Sequence, residues 1–189
     1  MCQQEVRRRS QEYLVSLKSR HINDIWEIDL IELPESLDDF KYVLTGIDVY
    51  SKFGFIHPII DKSSEEILIG LKKFIKEVGK PNKILSDNGL EFKNNRVEGY
   101  LLAMQIEIKH GSPYTPTTQG VIERFNRTFK SKLRRTREFG KLDWKNELKV
   151  IIKGYNYCKS RATGYAPIEF FNGSLCIDAD NNIFLKTIV

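Results

Sequence analysis

Asp29 lies inside Ile28-Asp29-Leu30-Ile31, in the middle of a run whose residue types favour a β-strand. A carboxylate buried there without a partner would be strongly destabilising, so it needs a cation, a cluster of donors or exposure at a sheet edge. Asp87 ends another short apolar run, directly before the Asn88-Gly89 turn, where a side chain can project from the carboxyl end of a sheet. Glu123 falls about one turn into a helix that begins near Gln119. Each acid also has an ordinary reading: Asp29 as a hydrogen-bonded core acid, Asp87 as a turn cap, Glu123 as a surface acid near a helix start. Other chemistries find less support. The three cysteines (Cys2, Cys158, Cys176) are scattered and odd in number, which points to reduced thiols inside a cell. They form no C-x2-C pair, and His21, His57 and His110 are too widely spaced to be a ligand pair on one helix, so a complete zinc module is absent. No Ser–His or Cys–His nucleophile arrangement is suggested.

The elements that must position these acids read as follows. Ile25 to Leu33 is a strand ended by Pro34, and Lys41 to Tyr50 and Phe53 to Ile60 are two more, joined by short turns that favour an antiparallel meander. The period then changes. Ser63 and Glu66 have capping-box spacing, and Ile67, Leu71, Phe74, Ile75 and Val78 line one helical face until Gly79 and Pro81. Lys83 to Ser86 is a short strand, Phe92 to Met104 contains a helix, and Ile106 to Lys109 is a further strand. After the loop Gly111 to Thr118 come helices near Gln119 to Glu138 and Asp143 to Tyr157, with a last helical turn at Pro167 to Phe171. Trp26, Trp144 and Tyr155 read as core. The expected fold class is α/β, a mixed sheet with helices on both faces.

The composition fits one ordinary domain: 189 residues, 41% hydrophobic and 29% charged. No apolar stretch approaches the ~20 residues that cross a bilayer, and Met1 to Arg7 shows no secretory signal. The net charge of +5 is unevenly spread. Residues 124 to 153 carry eleven Lys/Arg against three acids, leaving the remainder of the chain negative. Such a face suits a polyanion, although a solvated helix surface accounts for charge density equally well. Within it, Ile122, Phe125, Phe129 and Leu133 share one helical face that should pack on the sheet. Glu123, Arg127, Lys130 and Arg134 form a neighbouring stripe, placing an acid and three cations on one side.

The words around these acids are specific: Trp26-Glu27-Ile28-Asp29, then Ser86-Asp87-Asn88-Gly89, then Ser112-Pro113-Tyr114-Thr115-Pro116-Thr117-Thr118-Gln119-Gly120-Val121-Ile122-Glu123. Between Asp87 and Glu123 lie 35 residues. Over roughly residues 22 to 173 the chain resembles the catalytic core of retroviral and retrotransposon (Ty3/Gypsy-like) integrases, the DDE group of the RNase H-like superfamily. Tyr155-Asn156 followed by Thr163-Gly164-Tyr165-Ala166-Pro167 is similar to the family's closing segment.

The resemblance implies an RNase H-like fold, a five-stranded mixed sheet made of an antiparallel three-strand meander and two parallel strands. It implies that Asp29, Asp87 and Glu123 are the catalytic and metal-binding residues. Two Mg²⁺ ions, replaceable by Mn²⁺, would serve an in-line displacement at phosphorus, with Asp29 bridging both, Asp87 completing one site and Glu123 the other. Tyr114, Gln119, Arg127, Lys130 and Arg134 are the expected DNA contacts. Asn88 and Asn126 are supporting candidates, Asn88 being equally a turn-former; Asp48, Ser51 and Lys52 resemble a family segment that a hairpin turn explains as well. The implied activity is DNA end processing and strand transfer for a retroelement, acting on element ends and target DNA, as a homodimer or higher oligomer, in a nucleus. The alternative is a catalytically silent core acting as a nucleic-acid-binding or protein-interaction module. The expected layout is a basic arm over residues 1–21, the core over 22–173 and a tail over 174–189. Met1-Cys2-Gln3-Gln4 looks like the last cysteine of the family's zinc module with the rest missing, so no zinc is expected in this chain, and Lys159-Ser160-Arg161 stands where a histidine is common.

Overall fold

A computed structural model describes residues 19–33, 39–111, 120–138, 144–160, 163–177 and 183–185. Its centre is a sheet of β1 (Ile25–Glu32), β2 (Tyr42–Asp48), β3 (Gly54–Ile59), β4 (Lys83–Ser86) and β5 (Glu107–His110), in the order β3-β2-β1-β4-β5. β1, β2 and β3 form the antiparallel meander, while β4 and β5 add in parallel on the other side of β1. The expected fold class is the observed one.

Alternation along β1 decides what each face does. Trp26, Ile28 and Leu30 point to a cluster with Ile67, Leu71 and Phe74 of α1 (Ser64–Val78) and Val97 and Leu101 of α2 (Asn95–Ala103). The odd-numbered residues point the other way. Ile31 joins Phe129 and Leu133 of α3 (Gly120–Glu138) and Trp144, Leu148 and Ile151 of α4 (Trp144–Asn156). Glu27 and Asp29 therefore face α3 from the same side of the strand as Ile31. Helices cover both faces, and the predicted face of α3 is the buried one: Ile122, Phe125, Phe129 and Leu133 are all buried.

Close packing explains two glycines. A Cβ on Gly46 would meet the Phe55 ring at 2.0 Å, and one on Gly54 would meet the Phe125 ring at 2.5 Å. The bare backbone of the meander thus seats one aromatic ring from each face.

The strand ends differ slightly from the sequence reading, for visible reasons. β2 stops at Asp48 because that buried carboxylate organises a turn: Oδ1 accepts the Ser51 N–H (2.7 Å) and Oγ–H (2.6 Å), and Oδ2 accepts the Asn23 N–H (2.8 Å). Lys52 follows with a φ of 61°. The hairpin-turn reading of Asp48 and Ser51 is what the structure contains. At α1, Ser63 Oγ accepts the Glu66 N–H (3.3 Å), but Glu66 reaches back to the Ile60 N–H (3.3 Å), so only half of the capping box forms. After α5 (Pro167–Phe171), residues expected as a tail contain a hairpin, β6 (Leu175–Ile177) with β7 (Ile183–Leu185).

Candidate active site

The parallel ladder brings the first two acids together. Every β1–β4 pair is offset by 58 residues, from Ile25↔Lys83 to Glu27↔Leu85, and the same offset relates Asp29 to Asp87 just past the end of β4. Asp29 is half-buried. Its Oδ1 accepts the Leu30 N–H (2.8 Å) and its Oδ2 accepts an N–H of Asn126 (2.7 Å). Burial pushes its carboxyl above the usual range, and the Asp87 charge adds to that. The Leu30 and Asn126 donors and the Lys130 ammonium work against the rise. Asp87 is exposed and accepts the Gly89 N–H (3.0 Å), a turn that aims it off the sheet.

A polar latch holds the backbone on which Asp87 sits. Ser86 Oγ lies 3.0 Å from the Asp87 carbonyl and 2.8 Å from His110 Nδ1, and His110 Nε2 lies 3.0 Å from Glu98 Oε1. Asn88 donates to the Gly111 carbonyl, tying the turn after β4 to the end of β5. In this structure its amide serves the turn.

Glu123 comes from the opposite side, exposed on the first turn of α3. Glu27 sets where that turn lies. Its Oε2 accepts the Ile122 N–H at 2.7 Å, one of the unpaired donors at a helix start, so a strand residue supplies the cap. Glu27 is 2% exposed, and burial pushes its carboxyl up to about 7, against the Ile122 donor and Lys52, with Glu123 contributing slightly in the same direction as burial. Asn126 lies one turn beyond Glu123, buried, with its N–H on Asp29 and its Oδ1 lacking a partner among the described residues. Arg127, Lys130 and Arg134 are exposed along α3, and the Lys130 charge is felt at Asp29. Tyr114 and Gln119 lie outside the described residues.

The structure thus joins Asp29 with Asp87 and sets Glu123 on the facing helix, beside Glu27. Among the described residues no three His, Cys, Asp or Glu side chains converge closely enough to hold one ion. Within that limit the Asp29–Asp87 pair suits a hard divalent cation. Both are oxygen donors, their like charges raise the proton affinity of Asp29, and a cation would relieve that repulsion. Among the described residues Asp29 uses one hydrogen bond on each oxygen, leaving further lone pairs on both. Sequence reasoning missed Glu27, Glu98 and His110. Glu27 had a signal, since it stands two residues from Asp29 in a strand and must share its face. The His110 latch had none, because β4, β5 and α2 meet only in the fold.

Comparison with known proteins settles the affiliation. The family model described as "Integrase core domain" matches residues 19–116. The chain belongs to the integrase core domain family. A second model of the same description matches residues 104–160. The Pol polyprotein of feline endogenous virus ECE1 is 30% identical over 153 residues, which cover 78% of this chain but only 14% of that polyprotein. Among solved structures, the HTLV-2 integrase catalytic core domain in complex with magnesium (trimeric form) superposes with a TM-score of 0.70 at 18% identity. The match covers 82% of this chain and 99% of that one. A chain of the simian T-cell lymphotropic virus intasome, solved in complex with the PP2A regulatory subunit B56 gamma, gives a TM-score of 0.76 at 20% identity. That match covers 91% of this chain and 61% of the other. These likenesses establish the RNase H-like fold of this integrase core, whose family is of the polynucleotidyl transferase type.

Proposed function

We propose that this integrase core cleaves and joins DNA phosphodiester bonds for a retroelement, by 3′-end processing and strand transfer. The observation that carries this reading is the pairing of Asp29 with Asp87 beside the end of β4, under a helix that presents Glu123 and a row of cations. Asp29 with Asp87 would hold one Mg²⁺ or Mn²⁺ ion and Asp29 with Glu123 a second. Ions held there would supply activation of a water or a DNA 3′-hydroxyl and neutralisation of charge on the leaving oxygen. The chain's own residues do the rest. Asn126 fixes the orientation of Asp29, Glu27 holds the start of α3, and Ser86, His110 and Glu98 hold the backbone of Asp87. Arg127, Lys130 and Arg134 neutralise phosphates beside the acids, and Tyr114 and Gln119 contact the DNA end; such contacts position a strand without reading its sequence. Element ends and target DNA would be bound by a homodimer or higher oligomer, working in a nucleus.

The separation of Glu123 from the Asp29–Asp87 pair favours a second reading, a silent core that binds DNA without turnover. One experiment separates the two. Purified protein is incubated with labelled DNA and Mg²⁺ or Mn²⁺, with Glu123→Gln alongside. Nicking or joining by the wild type, reduced to background in the variant, is the expected outcome. Equal activity in the variant would sink the three-acid mechanism, and binding without turnover in the wild type would favour the silent core.

A further inference from the structure

α3 has a second cationic side that the carboxylate site does not use. Arg124, Thr128 and Lys132 recur at steps of four, about a third of a turn away from the Glu123–Lys130 stripe. They line a cavity of about 560 Å³ between α3, the end of α4 and α5, within the size range of small-ligand sites. Its floor is apolar, with Ile47, Phe125 and Phe170. Tyr155 and Tyr165 present rings at its wall, each held edge-on by a phenylalanine: Tyr155 by Phe125 at 4.8 Å and Tyr165 by Phe170 at 6.1 Å. The rim is built by backbone hydrogen bonds, Ser160 N–H to the Tyr165 carbonyl (2.9 Å) and Gly164 N–H to the Ser160 carbonyl (2.8 Å).

Charge decides what kind of occupant suits it. Lys52, Arg124, Lys132 and Lys159 line this cavity, and no aspartate or glutamate does so among the described residues. The larger cavity beside β3 carries Glu66 and Glu77 together with its lysines, so single-sign charge is not a general property of the surface. An apolar floor with aromatic walls and a purely cationic lining matches a planar base joined to phosphates. Lys52 is already engaged by the Val49 carbonyl and by Glu27 and Asp48; a purely apolar ligand would leave Arg124, Lys132 and Lys159 idle, and a bare phosphate would leave the rings idle.

We propose that this cavity binds an unstacked nucleotide of a single DNA strand, with the base against Tyr155 and Tyr165 and the flanking phosphates on Arg124, Lys132 and Lys159. The choice of DNA rests on the integrase reading above. The site itself is separate from the three acids and needs no metal. Burial pushes the Tyr155 hydroxyl up to about 12 despite the nearby Arg124 charge, so at neutral pH it is a phenol that can donate to a base.

The test measures binding in EDTA by fluorescence anisotropy, using labelled oligothymidylate of about ten nucleotides and an abasic strand of the same length and charge. The wild type should bind the oligothymidylate at least about tenfold more tightly than the abasic strand, as expected for stacking on aromatic platforms. Tyr165→Leu should reduce that preference to about twofold or less, and Arg124→Ala with Lys132→Ala should weaken both strands by at least about tenfold at low salt. Equal affinity of the wild type for the two strands overturns the proposal on its own and requires no variant to fold. Binding to neither strand likewise overturns it, while the integrase reading stands or falls separately on the metal-dependent nicking assay.

Discussion

Asn126 is the residue whose environment says most about the acids, because it spends its N–H on Asp29 and leaves a buried oxygen without a partner among the described residues. Replacing it with alanine removes a donor that lowers the proton affinity of Asp29. If Asp29 holds a metal ion as proposed, Asn126 stands one step behind a ligand, where partners typically matter about 10–100-fold. Asn126→Ala should therefore weaken Mn²⁺ binding by roughly that factor, read by calorimetric titration, with a parallel loss of nicking; unchanged metal affinity would remove Asn126 from the site. Glu27 gives a prediction in pH. Its ordinary value is 4.5 and the fold raises it to about 7. Between those values the folded chain keeps a proton that the unfolded chain has lost, so this residue makes stability fall as pH rises from 4.5 to 7. The loss is at most about 3 kcal/mol, taking 1.36 kcal/mol per unit. Glu27→Gln retains an oxygen for the Ile122 N–H and has no proton to lose. In urea titrations without metal it should match the wild type near the low end of that window and exceed it above pH 7; parallel curves for the two proteins would show that the Glu27 carboxyl is not held protonated by burial.

At the scale of elements, the meander depends on a clamp from outside the sheet. Asn156, at the end of α4, accepts the Gly54 N–H through Oδ1 and donates through Nδ2 to the Gly54 carbonyl, both at 2.8 Å and both buried. It ties the first residue of β3 to the helix layer, where the absence of a side chain on Gly54 admits the Phe125 ring of α3. Asn156→Ala strands two buried backbone groups at a cost of about 1–3 kcal/mol each. A melting temperature roughly 4–24 °C lower follows for a chain of this size. Scanning calorimetry checks it, and a shift near zero would mean that water replaces the amide. Asn156 was legible only as part of a family-like word. The contact spans 102 residues, and nothing local in Tyr155-Asn156 encodes a strand partner. By contrast α3 was legible in detail, because a 3.6-residue period sorts Ile122, Phe125, Phe129 and Leu133 inward whatever they meet.

For the molecule as a whole, the controlling feature is a concentration of positive charge on one helical region of a chain that is otherwise slightly acidic. If Arg127 and Lys130 each neutralise one phosphate, alanine at both should lower the magnitude of the log affinity against log salt slope for duplex DNA by about 2. An unchanged slope would take both residues out of the interface. Among the described residues no helix is long and apolar enough to cross a membrane. The sequence by itself determined the order of elements, the mixed sheet, the inward face of α3 and the identity of the acids worth testing. Those follow from local periodicity, turn chemistry and the specific words around Asp29, Asp87 and Glu123. Only the tertiary structure decided that Asp29 and Asp87 are neighbours while Glu123 stands across from them beside Glu27, and that a second cationic side of α3 closes over a cavity. Those outcomes depend on strand register and helix docking, in which residues far apart in the chain meet at distances that no local pattern sets.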